Sequence, residues 1–159
     1  MRECGGKQKQ RGVTLLELLI VMTLIALMAG VSYPSVSSGI DSLRLRSAAD
    51  SVATFLNTAI DRAQRREQVV EVWISPRDNA MIARSPDQQF LRRLDVPDSI
   101  HISAVLPAEI NGNEPRRFLM YPGGTIPRIA VELANANGRK RLVAVDPMTG
   151  IPHSQSENQ

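Results

Sequence analysis

Arg11-Gly12-Val13-Thr14-Leu15-Leu16-Glu17 is where a basic leader meets an apolar run, and the reading of this stretch decides how the rest of the chain folds. The run continues for nineteen residues, Val13 to Val31, and its only ionisable side chain is Glu17, near its start. At about 1.5 Å per residue this makes a helix of roughly 28 Å, close to the ~30 Å hydrocarbon core of a bilayer. A membrane-spanning helix is therefore expected. An isolated carboxylate inside it costs about 2.5 to 3.5 kcal/mol at the centre of a span and calls for a partner.

Working outward toward the N-terminus, residues 1–12 hold four bases (Arg2, Lys7, Lys9, Arg11) and one acid, Glu3. The whole chain has 19 Lys and Arg against 16 Asp and Glu, so fifteen of each remain after Gly12 and the net charge of +3 belongs to the leader. The high pI thus reports a positive-inside bias, which keeps the N-terminus cytoplasmic and sends the rest across, and gives no argument for nucleic acid. The single cysteine, Cys4, lies in the same leader, so the part beyond Gly12 folds without a disulfide. Three readings fit residues 1–31. They are a secretory signal with a weak cutting site at Gly30-Val31-Ser32, a plain anchor, or a leader cut at Gly12-Val13 that leaves the helix at a new N-terminus.

Beyond the run, Pro34 and the poor helix formers Ser35-Val36-Ser37-Ser38-Gly39 predict a bend or a loosened stretch. From about Asp41 the pattern is helical again. Leu45, Ala48, Ala49, Val52, Phe55, Leu56, Ala59, Ile60 and Ala63 recur at three- and four-residue steps, with Arg44, Asp50, Asn57, Asp61, Arg62 and Arg65 on the other side. After Gln68 the pattern changes to short β-like runs: 69–75 and 80–84 about a Pro76-Arg77-Asp78-Asn79 turn, then 89–94, 99–106, 116–121, 128–133 and 141–145, with a tail strand near Ile151. Asn111-Gly112-Asn113 and Asn135-Ala136-Asn137-Gly138 carry hairpin chemistry. The chain divides into a leader (1–12), a membrane half-helix (13–34), an amphipathic half-helix (35–67) and a β domain (68–159). One helix followed by many short strands gives an α+β class.

The string Arg11-Gly12-Val13-Thr14-Leu15-Leu16-Glu17-Leu18-Leu19-Ile20 resembles the prepilin-peptidase site of type IV pilins and type II secretion pseudopilins, with a glutamate five residues past the cut and Pro34 twenty-two past it. Val13 departs from the phenylalanine usual there. In the C-terminal half, Phe118 to Thr125 and Gly138 to Gly150 resemble the closing hairpins of the GspH/FimT family of minor pseudopilins and pilins; residues 87–114 carry no such resemblance. The resemblance implies a pilin-like fold, one long N-terminal helix packed on a two-sheet antiparallel β domain. It implies cleavage between Gly12 and Val13, N-methylation of Val13, a register role for Glu17 toward a neighbouring subunit's α-amino group, and a helix bend at Pro34.

Catalysis finds no support: nucleophile elbow, zinc-protease helix, phosphate loop and cysteine pair are all missing from the sequence, and His101 and His153 read as structural or solvated. No cofactor or metal is expected. Gly123-Gly124 and Gly150 read as turn glycines. The pairs Arg92-Arg93 and Arg116-Arg117 and the string Gly138-Arg139-Lys140-Arg141 raise a DNA-binding alternative, since some FimT-type pilins capture DNA through a basic Gly-Arg-x-Arg stretch. Alternation along a strand lets Arg139 and Arg141 share a face that Lys140 leaves, and a solvated surface is the preferred reading. The expected function is a structural one: a minor pseudopilin of a type II secretion system, held in the inner membrane by a single pass with its β domain in the periplasm. Its partners would be prepilin peptidase, inner-membrane lipid and other pseudopilins or minor pilins met through the helix. The alternative is a type IV minor pilin taking up DNA through Arg139, Lys140 and Arg141.

Overall fold

The apolar stripe at three- and four-residue steps becomes the buried side of one helix, α1, Leu15–Arg66. The computed structural model describes residues 14–87, 89–108, 114–124 and 126–156, with the side chains of 31–38 outside that description. These residues fall into two compact units that meet between Gly39 and Ile40. In the second unit every member of the predicted stripe, from Leu45 to Ala63, is buried. Each large side chain there, such as Leu56 or Ile60, gains about 1.5–3 kcal/mol by leaving water. Arg62 departs from the expected polar face. It is half-buried, and its guanidinium stacks 5.3 Å from the Phe90 ring centroid.

The loosened stretch expected after Pro34 is absent from the backbone, which is helical without interruption from Leu15 to Arg66. A proline removes one backbone hydrogen bond without having to end the helix, and long helical flanks carry the weak formers between them. The helix stops where Glu67 turns into the left-handed region (φ 51°) and the Gln68 amide donates to the Ala63 carbonyl at 3.2 Å. This is a Schellman-type ending in which the left-handed position is a glutamate.

Eight strands follow: β1 (Val70–Ser75), β2 (Ala80–Arg84), β3 (Leu91–Asp95), β4 (Ile100–Leu106), β5 (Arg116–Met120), β6 (Ala130–Asn135), β7 (Lys140–Val145) and β8 (Pro152–Ser156). They form two antiparallel sheets of four, ordered β3-β2-β1-β5 and β4-β6-β7-β8. Strict alternation in β1 sends Val70, Val72 and Ile74 into the core and leaves Glu71, Trp73 and Ser75 on the outer face. The core joins α1 to both sheets through residues such as Met81, Phe118, Ile102, Leu133 and Val143.

Polar staples tie the two sheets together. Arg116 on β5 donates to the carbonyls of Val105 (3.1 Å) and Pro107 at the end of β4. Asn79, at the turn before β2, donates to the carbonyls of Val96 (3.2 Å) and Ile100 (2.7 Å) and accepts from the Ile102 amide (3.0 Å). The expected turn at 76–79 is present, and so is the hairpin at Asn135 to Gly138; the Asn111-Gly112-Asn113 loop lies outside the described residues.

Gly150 shows why a turn glycine is required in the β7–β8 connection. Its φ is +73°, and a Cβ there would overlap Ile126 Cδ1 and approach Ile60 on α1. Gly138 has a similar φ, +77°, with open space around it. Gly150→Ala is expected to cost about 1–2 kcal/mol for the backbone alone, plus the displacement of Ile126. Gly138→Ala should cost only the backbone part, so comparing the two by thermal unfolding isolates the packing contribution.

Candidate functional site

Gly12 and Val13, the expected cleavage pair, lie outside the described residues. The segment that follows them, residues 14–30, is exposed at every position. Leu15 is 81% exposed, Met22 63% and Met28 72%, and Leu16, Ile20, Leu24 and Leu27 present apolar surface on the remaining sides of the helix. A helix that is hydrophobic all round is stable only when something apolar surrounds it, either lipid or other helices. Thr23 suits such surroundings, because its hydroxyl donates to the Leu19 carbonyl at 2.7 Å and asks nothing of its environment. Among the described residues no helix is long and apolar enough to cross a membrane. The part with described side chains ends at Gly30, short of the Val31 end of the run read from the sequence.

The start of this helix holds a residue that the sequence reading missed. Thr14 is the N-cap: its Oγ1 accepts from the Glu17 amide at 3.3 Å, and its carbonyl accepts from the Leu18 amide at 3.2 Å. Glu17 therefore sits at the third helical position of a Thr-x-x-Glu capping sequence, where its negative charge also complements the positive end of the helix dipole. The signal was present in the four letters Thr14-Leu15-Leu16-Glu17. Glu17 thus has a local role at the helix start in addition to any role toward a neighbour.

The basic string at the β6–β7 hairpin stays at the surface but spends its side chains on contacts within the chain. Asn135 is buried, and its Oδ1 accepts from the amides of Asn137 (3.1 Å) and Arg139 (2.9 Å), which shapes the turn. From this turn Asn137 Nδ2 donates to Asp41 Oδ2 at 2.7 Å and the Arg139 guanidinium donates to the Ser42 hydroxyl, so the hairpin clamps α1 near its entry into the second unit. Lys140 pairs with Glu132 at 2.9 Å, and Arg141 donates to Ser154 at 3.3 Å. The Glu132 carboxyl is held below the usual carboxylate range, first by the hydrogen bond from Ser103 and then by Lys140. As expected from alternation, Lys140 lies on the face of Glu132 and Leu142, whereas Arg141 shares the face of Val143.

The other arginine pairs do not join this string on one surface. Arg92-Arg93 lie on β3 and Arg116-Arg117 on β5, the two opposite edges of the first sheet, while Arg139 to Arg141 belong to the second. Arg84 and Arg117 both converge on Glu71, with Arg84 at 2.9 Å and Arg117 at 3.6 Å, and both stack near the Trp73 ring. The hydrogen bond from Arg84 is the main cause that lowers the Glu71 pKa. His101 and His153 are exposed on β4 and β8 and belong to no common site. Among the described residues no group of three or more metal-ligating side chains comes together.

One long helix laid on two four-stranded antiparallel sheets, and beginning in an exposed apolar segment, defines a pilin-like α+β fold. The profile described as the prokaryotic N-terminal methylation motif matches residues 7–33. The fold is similar to that of the minor pseudopilin EpsH from the type 2 secretion system of Vibrio cholerae, with a TM-score of 0.57 over 73% of this chain and 99% of that chain. At 9% identity this likeness is one of fold. A comparison of the sequence with curated proteins gave no match. The fold expected from the GspH/FimT resemblance is borne out, and the DNA-binding alternative receives no support from either likeness.

Proposed function

We propose that this chain is a minor pseudopilin of a type II protein secretion system, a structural subunit and not an enzyme. The observation that carries the reading is the helix exposed and apolar on all sides, which starts within the matched methylation motif and stands on a fold shared with a minor pseudopilin. In this reading prepilin peptidase cuts between Gly12 and Val13, and the new Val13 amine is methylated. The helix from Val13 holds the protein in the inner membrane by a single pass, with the β domain in the periplasm, until it enters a pseudopilus beside other pseudopilins. Glu17 sets the axial register by meeting a neighbour's α-amino group, an arrangement that neutralises two charges in an apolar setting. Pro34 bends the helix where the apolar and amphipathic halves join.

The shared premise is tested by the intact mass and N-terminal sequence of the protein taken from membranes. The expected result is a chain that begins at Val13, heavier by one methyl group where the amine is modified. An uncut N-terminus, or a cut near Ser32, overturns the reading.

A further inference from the structure

A groove of about 780 Å³ runs along the second unit, between the flank of α1 and the edge strand β3. Its position follows from register. Arg92 and Leu94 stand opposite the buried Ala83 and Met81, so they lie on the core side of the sheet, and as part of the outermost strand they overhang the helix. Phe55, Leu43 and Leu94 give the groove an apolar lining, with Phe55 only 9% exposed and Leu43 67%. The helix wall between them is small and self-satisfied. The hydroxyls of Ser51, Thr54 and Thr58 each donate to the carbonyl four residues earlier, at 2.8–2.9 Å. Charge is uneven: Arg46 on the helix wall and Arg92 on the strand wall meet a single acid, Asp50, while register turns Arg93, between Arg92 and Leu94, to the outer face of the sheet. Arg93 is neutralised by Asp95 at 2.7 Å, but neither Arg46 nor Arg92 makes an ion pair with a described residue.

We propose that this groove docks an acidic, amphipathic segment of a partner protein, whose carboxylates meet Arg46 and Arg92 while its apolar side chains cover Leu43, Phe55 and Leu94. Two cations on opposite walls of an apolar trough select a ligand that carries both features. A second copy of this chain fits poorly. Asp41, Asp61, Glu71, Asp95 and Glu132 are already in ion pairs. Among the other described acids, Asp78 stands in the β1–β2 turn and Asp98 before β4. The short, charged strand β3 also discourages edge pairing with another strand. The proposal involves the second unit alone and stands whether or not the N-terminal helix enters a fibre.

The test uses the full chain in detergent and two fluorescein-labelled peptides of leucine at helical spacing, one carrying glutamates and the other lysines at the remaining positions. Anisotropy should show the glutamate peptide binding at low ionic strength, more weakly in high salt, and the lysine peptide failing to bind. Arg46→Glu with Arg92→Glu should weaken the glutamate peptide by about tenfold or more and create binding of the lysine peptide. Arg77→Glu, an exposed change in the β1–β2 turn, should leave both unchanged. The proposal falls if the two peptides bind alike, if Arg77→Glu weakens binding as much as the groove changes, or if an oligothymidylate binds in place of the peptide. It also falls if the groove changes act only by dissolving a concentration-dependent dimer.

Discussion

Glu17→Gln is expected to leave leader removal intact and to abolish entry into a fibre, while Thr14→Ala leaves fibre entry largely unaffected. The contrast follows from the helix start. Thr14 Oγ1 accepts from the Glu17 backbone amide at 3.3 Å, a contact that any residue but proline keeps, so the Glu17 side chain adds to the start of α1 only a charge near the positive end of its dipole. Glutamine serves at that third helical position as well as glutamate does, so the substitution keeps the cap and removes only the charge. It also enters an apolar environment more easily than a carboxylate, so lost assembly could not be blamed on failed insertion. Thr14→Ala does the reverse: it costs about 1 kcal/mol of cap and leaves the carboxylate in place. The measurement is the share of each variant in a sheared fibre fraction, with the N-terminal mass of the membrane pool as the control for cleavage. If Glu17→Gln assembles normally and Thr14→Ala does not, the charge has no register role and Glu17 is there for the helix start alone.

How much of this molecule was legible beforehand depended on how far apart the cooperating residues lie. The core side of α1 was readable because Leu45 to Ala63 repeat with the period of the helix, and the inward residues of β1 because Val70, Val72 and Ile74 repeat with the period of a strand. Strand limits followed from the turn residues between them, to within two residues at most ends. The capping role of Thr14 is equally local, carried by the four letters Thr14-Leu15-Leu16-Glu17. Other features had no local signature. That Arg139 reaches Ser42 depends on residues 97 apart in sequence, and that Asn79 reaches Ile102 on residues 23 apart. From its letters the basic string therefore reads as a solvated surface, with a nucleic-acid motif as the alternative, while in the folded chain the same letters hold a hairpin against a helix. The groove beside β3 was invisible for the same reason, since Arg46 and Arg92 come from a helix and a strand that only the sheet order brings together.

Asn79 is a polar residue whose loss should cost the second unit as much as that of a large core side chain. Its backbone is left-handed, φ 49°, a conformation that asparagine tolerates far better than alanine. From there its side chain makes three hydrogen bonds to the segment that carries the chain from β3 in the first sheet to β4 in the second. Removing the amide leaves the Ile102 N–H and the Ile100 carbonyl without these partners beside a core, at about 1–3 kcal/mol for a buried group. The left-handed backbone adds about 1 kcal/mol for alanine. Asn79→Ala should therefore lose about 3–5 kcal/mol, and the melting temperature of a domain this size should fall by on the order of 10 °C or more. Asn79→Gly accepts the backbone without strain and should recover about 1 kcal/mol of that loss, so the difference between the two variants separates conformation from hydrogen bonding. Asn79→Asp keeps the acceptor for Ile102 but points a carboxylate at two carbonyls. It should be less stable at neutral pH than at a pH low enough to protonate it, because only the protonated form donates. Circular dichroism melts of the four proteins at two pH values decide the matter, and a Tm for Asn79→Ala within a degree or two of the parent would mean that the two sheets are held together by their apolar core without this staple.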